Sequence, residues 1–333
     1  MKKLKKAYET ADVMPPIEKD DRHCLVMFSG GISSFEAGRR ALERYGKERT
    51  TFLFADTNME DPDLYRFNKD VERVLGIELT VLDNDGKSVW DIFFEQKMMG
   101  SSRFDPCSRV LKRETMDAWR EKHFPDPEKV VMVIGMDNEE DCHRIAKVQR
   151  AFAPYYIWFP LHDSPYISKR KSLKNLEKLG IAVPRLYDMG FKHNNCGGFC
   201  VKAGYGHFHH LLLTMPDRYK YHEEMEQKFR REVNGSPGAI IMRYRSTKSQ
   251  GSKKGGPMTM LEFRERIEGG ERFVQNARAG FACACMAAEP AHGKAAGISF
   301  DNIYDTALNL DLHGETLDSD GLDPDGFELD TFE

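Results

Sequence analysis

Leu25-Val26-Met27-Phe28-Ser29-Gly30-Gly31-Ile32-Ser33-Ser34 is the stretch that decides how this chain is read. Four apolar residues make a buried strand and a Ser-Gly-Gly turn follows. Ser33 and Ser34 then open an amphipathic run, Phe35-Glu36-Ala37-Gly38-Arg39-Arg40-Ala41-Leu42. Strand, glycine turn and helix N-terminus in that order expose backbone N–H groups at the positive end of a helix dipole, which suits a phosphate. The hydroxyls of Ser29, Ser33 and Ser34 add donors. A Walker loop is excluded, because the turn does not end in Gly-Lys-Ser/Thr. On this stretch alone, an ordinary tight βα turn with a serine cap is an equal reading.

Two further segments shift the balance. Thr51-Phe52-Leu53-Phe54-Ala55-Asp56-Thr57-Asn58 is a second apolar strand ending in a polar cluster. Val130-Val131-Met132-Val133-Ile134-Gly135-Met136-Asp137 is a third, and it leads into Glu139-Glu140-Asp141-Cys142-His143-Arg144. Each puts polar residues at the C-terminal end of a strand, the edge at which open α/β sheets bind ligands.

The three segments resemble, in order, three motifs of the PP-loop family, which includes the ATP pyrophosphatases and the PAPS reductases. The first is similar to its SGGxxS loop. The second is similar to its strand that ends in Asp-Thr-Gly or Asp-Thr-Asn beside the nucleotide. The third resembles the Gly-x-Arg-x-x-Glu-Ser-x-x-Arg segment of the PAPS reductase-like branch. Gly135, Glu140 and Arg144 match that segment, and Asp137 stands in place of its first arginine. The resemblance covers about residues 24–204. It implies a Rossmann-like α/β fold with an adenine nucleotide, ATP or PAPS, held by Ser29, Gly30, Gly31, Ser33, Ser34, Asp56, Thr57 and Gly135. Glu140 and Arg144, four apart, share a face of a helical turn. Arg144 is then expected to reach a phosphate or the substrate, with Glu140 positioning it. Ser33 stands where true ATP pyrophosphatases commonly carry an Asp that helps hold Mg²⁺, so a Mg²⁺ requirement is open.

Alternating patterns extend the same organisation. Strands are expected at about 24–28, 50–56, 78–83, 129–135 and 155–160, with helices at about 33–46, 62–75, 88–99 and 108–123. That alternation predicts a parallel sheet with right-handed crossovers and helices on both faces. Residues 1–23 read as a polar lead-in and 24–204 as the nucleotide-binding domain with a cysteine-bearing loop. Residues 205–290 read as a helical C-terminal region, with helices at about 207–232 and 258–268, and 291–333 as an acidic tail. The net charge of −4 over 333 residues gives no global case for nucleic acid, yet no Lys or Arg occurs after residue 294. The basic segment 243–254 reads either as a mobile loop or as a contact to nucleic-acid phosphates. Met1-Lys2-Lys3-Leu4-Lys5-Lys6 is followed by no apolar run, so no secretory signal is expected. No stretch is long and apolar enough to span a bilayer. A cytoplasmic protein with no membrane partner is therefore expected.

Seven cysteines in such a chain point to metal or redox chemistry. Cys196 and Cys200 flank Gly-Gly-Phe, and those glycines let backbone approach an inorganic centre. Cys107, in Asp105-Pro106-Cys107-Ser108-Arg109, resembles the cysteine-then-basic-helix segment of the reductase branch, where cluster-bearing members have a cysteine pair and this chain has Pro106. Cys283 and Cys285 form a Cys-x-Cys. The expected metal ligands are Cys107, Cys196, Cys200 and one of Cys283 and Cys285; Cys285 is taken as the ligand, which leaves Cys283 as the catalytic thiol. Such thiolates select a [4Fe–4S] cluster or Zn²⁺. The cluster is favoured, because several PP-loop sulfur-chemistry families carry one near the nucleotide. Cys24 reads as an inert core thiol, and Cys142 as an unlikely ligand. His193, Lys112, Arg109 and Lys202 are candidates for substrate contact, and His207, His209 and His210 read as a polar helix face.

The resemblance implies one of two chemistries at one nucleotide pocket. The first is ATP-dependent adenylation with sulfur transfer to a nucleic-acid or small-molecule acceptor from a sulfur donor. The second is reduction of PAPS or APS by a thiol reductant. The reductase tail motif Glu-Cys-Gly-hydrophobic-His is absent, which favours the first. A nucleotide-binding regulator without turnover is the third alternative, and a homodimer is a further expectation.

Overall fold

A computed structural model describes residues 17–101, 104–137, 141–233, 239–243 and 257–271. The chain divides into two compact units, Met1–Ala291 and His292–Glu333, and every described residue belongs to the first.

Five strands form one parallel sheet: β1 (His23–Phe28), β2 (Thr50–Ala55), β3 (Leu79–Leu82), β4 (Val130–Ile134) and β5 (Tyr156–Trp158), in the order β3-β2-β1-β4-β5. Leu25 of β1 stands opposite Thr51 on one side and Met132 on the other. The three central strands β1, β2 and β4 are buried on both faces and are near-continuous apolar runs, as parallel sheets require, whereas the edge strand β3 leaves Val81 exposed. Successive side chains alternate between faces. Val26, Phe28, Phe52, Phe54, Val131 and Val133 join one core. Leu25, Met27, Leu53, Met132 and Ile134 join the other.

Helices α1 (Ile32–Tyr45), α2 (Pro62–Leu75), α3 (Val89–Gln96), α5 (Thr115–His123) and α6 (Ile145–Phe152) connect and cover the strands. Before α5 the chain runs through a short turn, α4 (Pro106–Ser108), and a π-helical turn, Arg109–Glu114. After β5 come α7 (Lys169–Lys178), α8 (Arg185–Asp188), α9 (Tyr205–Thr214), α10 (Pro216–Glu232) and α11 (Met260–Glu268). The single helix expected over 207–232 is two. Pro216 sits at the first position of α10, where its missing N–H is tolerated, and it ends α9 at Thr214. Trp90 and Phe93 of α3, Phe208, Tyr219, Phe229 and Phe263 make a third core with Phe199 of the cysteine loop. No helix among the described residues is long and apolar enough to cross a membrane.

Sheet order reverses between β1 and β4. The crevice beyond their C-terminal ends is the switch point at which open α/β sheets take ligands.

Candidate functional site

The turn after β1 is held from several directions. Gly30 has φ +74°, and a Cβ there would lie 2.9 Å from Leu64. Ser34 Oγ donates to the Gly31 carbonyl at 2.8 Å and accepts the Ser29 amide at 3.1 Å. The Ile32 amide donates to Tyr187 Oη at 3.1 Å, and Asn194 Nδ2 donates to the Gly30 carbonyl at 3.0 Å. The residues from α8 to the cysteine loop thus pin a turn more than 150 positions earlier. From β4, Gly135 packs directly on the start of α1. A Cβ on Gly135 would lie 2.5 Å from the Ser33 carbonyl oxygen and 2.6 Å from the Ser34 amide. That contact is why the position is glycine.

Beyond this turn lies a cavity lined by Ser29, Ser34, Gly135, Asp141, Arg144, Asn195 and Lys112, among others. Arg144 forms an ion pair with Asp141 at 2.6 Å. Glu140, expected to position Arg144, lies outside the described residues, and the observed partner is three positions away. The turn Cys142–Arg144 is a 3₁₀ helix, where residues i and i+3 eclipse.

A second cavity is lined by Cys107, Cys196, Cys200, Thr57, Lys112 and Lys202, among others. Cys107 is thereby brought to the same cavity as Cys196 and Cys200, 89 and 93 positions later in the sequence. Cys196 has φ +51°, followed by Gly197 at +55° and Gly198 at +82°. The left-handed region costs a residue with a Cβ about 1–2 kcal/mol, so the backbone is held here against its preference. A Cβ on Gly197 would collide with the Arg218 guanidinium. Arg218 itself donates to the Met59 carbonyl at 2.6 Å. His207 and His210, both on α9, bond the Gly198 and Met189 carbonyls, each at 2.7 Å. They brace the loop. Among the described residues, no group of three or more His, Cys, Asp or Glu side chains is arranged to hold a metal ion.

Lys112 lines both cavities and is 7% exposed. Its Nζ lies 3.8 Å from Glu60 Oε1. Glu60 is buried, accepts the Thr57 hydroxyl at 2.9 Å and accepts the Cys196 amide. Burial pushes the Glu60 carboxyl up, against the opposing pull of Lys112, Thr57 and Cys196. His193 is buried, and its imidazole is pushed down to about 3 chiefly by burial, so it is neutral at physiological pH.

The other residues singled out in the sequence fall at several places. Thr57 faces the thiol cavity, and Asp56 accepts the Asn58 amide and the Tyr65 hydroxyl, each at 2.9 Å. Arg109 pairs with Glu114 at 2.6 Å and bonds Gln96 at 2.9 Å, at neither cavity. Lys202 pairs with Asp105 at 3.4 Å. Cys24 is wholly buried, with its thiol pushed up by burial. Cys283, Cys285 and the acidic tail lie outside the described residues. Asp141, Asn195 and Glu60 escaped the sequence reading. Asn195 had one visible signal, its place beside Cys196 in an Asn-Asn-Cys-Gly-Gly run.

Solved structures that resemble the chain include the following three. One is phosphoadenylyl-sulfate (PAPS) reductase from Candida auris in a phosphate complex, at 12% identity over 57% of this chain and 85% of that one, with TM-score 0.36. Another is the U34-tRNA thiolase of Methanococcus maripaludis with its [4Fe-4S] cluster, at 14% identity over 70% and 78%, with TM-score 0.39. The third is the NH3-dependent NAD synthetase of Campylobacter jejuni in complex with nitrate, at 11% identity over 72% and 95%, with TM-score 0.33. No curated protein matches the chain. The profile of the phosphoadenosine phosphosulfate reductase domain family matches residues 23–196, just over half of the sequence, and the chain belongs to that family, within the PP-loop superfamily.

Proposed function

We propose that this protein is an enzyme that binds an adenine nucleotide at the Ser29–Ser34 turn and uses it for sulfur chemistry at the adjoining thiol cavity. The observation that carries this reading is the position of Lys112, whose side chain lines both cavities. Its side chain stands between the proposed phosphate site and the cysteines. In the proposed reaction ATP lies with its phosphates against the turn. An oxygen of the acceptor, a nucleic acid or a small molecule, attacks the α-phosphorus, and pyrophosphate leaves. Sulfur from a donor then displaces AMP from the activated atom. Arg144 and Lys112 are suited to offset the charge that builds on the departing pyrophosphate.

Cys107, Cys196 and Cys200, with Cys285, would hold the metal centre. The donor set fits in kind, since thiolates suit both a [4Fe–4S] cluster and Zn²⁺. When bound, such a centre supplies a site for sulfur or for polarising the acceptor.

A second reading is favoured by the family match itself. In it the nucleotide is PAPS or APS, a thiol such as Cys283 attacks its sulfonate sulfur, and the adenosine phosphate leaves. A reductant thiol then attacks the resulting S-sulfonate and releases sulfite. The test is anaerobically purified protein incubated with ATP or with PAPS, in the presence of sulfide and a thiol reductant, with pyrophosphate and sulfite assayed side by side. Pyrophosphate from ATP supports the first reading and sulfite from PAPS the second. Neither product from either nucleotide, together with no calorimetric binding of ATP or PAPS, refutes both.

A further inference from the structure

The segment His193-Asn194-Asn195 leads from one cavity to the other. Asn195 lines the nucleotide cavity, and its neighbour Cys196 lines the thiol cavity. These three consecutive side chains are 7%, 0% and 4% exposed. Each has a buried polar atom with no hydrogen-bond partner: Nδ1 of His193 and Oδ1 of both asparagines. Buried polar side-chain atoms are satisfied in the large majority of cases, so three exceptions in one tripeptide require a cause. Asn194 has a structural task, since its Nδ2 anchors the segment to the Gly30 carbonyl. No such bond accounts for Asn195.

An amide oxygen accepts hydrogen bonds. Ionised phosphates offer no donor, whereas ribose hydroxyls and an adenine amino group do. The loop beyond Asn195 is poised to register a small displacement. The Cys196 amide is held by Glu60, and its backbone sits in the left-handed region. We propose that Asn195 takes a hydrogen bond from the sugar or base of the bound nucleotide, and that its peptide link to Cys196 makes the reactivity of that thiol depend on nucleotide occupancy. This rests on the nucleotide-binding reading above. Asn195 is then the residue that ties arrival of the nucleotide to readiness of the sulfur site.

The test uses full-length protein as isolated, with ATP and PAPS as probes. Calorimetric titration gives the Kd for the wild type, Asn195→Ala and Asn195→Ser. Thermal melts show whether each variant folds, and the serine variant covers a folding failure of the alanine one. Iodoacetamide labelling of Cys196, read by peptide mass spectrometry, is timed with and without saturating nucleotide. The expected result is a Kd raised about tenfold in both variants, the loss of one hydrogen bond. Nucleotide should change the labelling rate of Cys196 in the wild type and leave it unchanged in the variants. Wild-type protein that binds neither nucleotide refutes the underlying reading, and the inference with it. Unchanged Kd in folded variants overturns the contact while leaving the reading intact. A labelling rate indifferent to nucleotide in the wild type overturns the coupling.

Discussion

Adding one methyl group at Gly135 tests the site most sharply. The new Cβ would sit 2.5 Å from the Ser33 carbonyl oxygen and 2.6 Å from both the Ser33 carbonyl carbon and the Ser34 amide. All three are backbone atoms, so no rotamer change relieves the clash. Gly135 is not among the residues with positive φ. An alanine there meets no conformational penalty, and any effect comes from the collision. Forcing one methyl into a packed site costs about 1–3 kcal/mol. For a domain of this size that corresponds to a Tm lower by roughly 2–12 °C. The movement must separate the β4 end from the start of α1, and Gly135 and Ser34 line the same cavity. Nucleotide affinity should therefore fall as well, by about tenfold or more if even one phosphate hydrogen bond is lost. The assay is a pair of thermal melts with ATP and PAPS titrations on wild type and Gly135→Ala. An alanine variant with unchanged Tm and unchanged affinity would refute the close approach of β4 to the glycine turn.

Arg144→Ala removes a partly exposed ion pair with Asp141, worth about 1 kcal/mol or less to stability. Turnover by the same variant should fall by about 100-fold or more; a melt and an initial-rate assay separate the two effects. Replacing Cys196 and Cys200 together by serine should remove most of the iron, acid-labile sulfide or zinc from anaerobically prepared protein. Cys142→Ser, at neither cavity, should leave the metal in place, and elemental analysis decides. Glu226, buried in α10, accepts the Ile241 amide at 3.1 Å and the Met260 amide at 2.6 Å, and burial pushes its carboxyl up to about 7. A carboxyl raised in the folded state stabilises fully below its unfolded value and loses that contribution as pH rises through the folded one. Urea melts from pH 4.5 to 8 should show this decline in the wild type, and Glu226→Gln should flatten it between pH 4.5 and 7.

The sheet was legible because its central strands, buried on both faces, leave unbroken apolar runs, and all five strands lie within a few residues of where the sequence pattern puts them. Helix ends were less so. The pattern of 207–232 continues across Pro216, and only the missing N–H divides α9 from α10. Residues named within separate local motifs fall together at one cavity. Ser29, Ser34, Gly135 and Arg144 were named from motifs, and they line one cavity. What depends on the form of a turn, or on segments distant in sequence, was hidden. Asp141, just before the 3₁₀ turn, pairs with Arg144 three positions on, where a partner four positions away was expected. Lys112 reaches two cavities from a π-helical turn that no periodicity announces. Asn195 stands out only once its buried oxygen is seen without a partner.

A crystal structure of the protein with ATP or PAPS bound measures the central claim directly. The account predicts phosphates against the Ser29–Ser34 turn, between Gly135 and Arg144, with Lys112 between the nucleotide and Cys196. Nucleotide density anywhere else on the molecule, with that cavity holding only solvent, would contradict it.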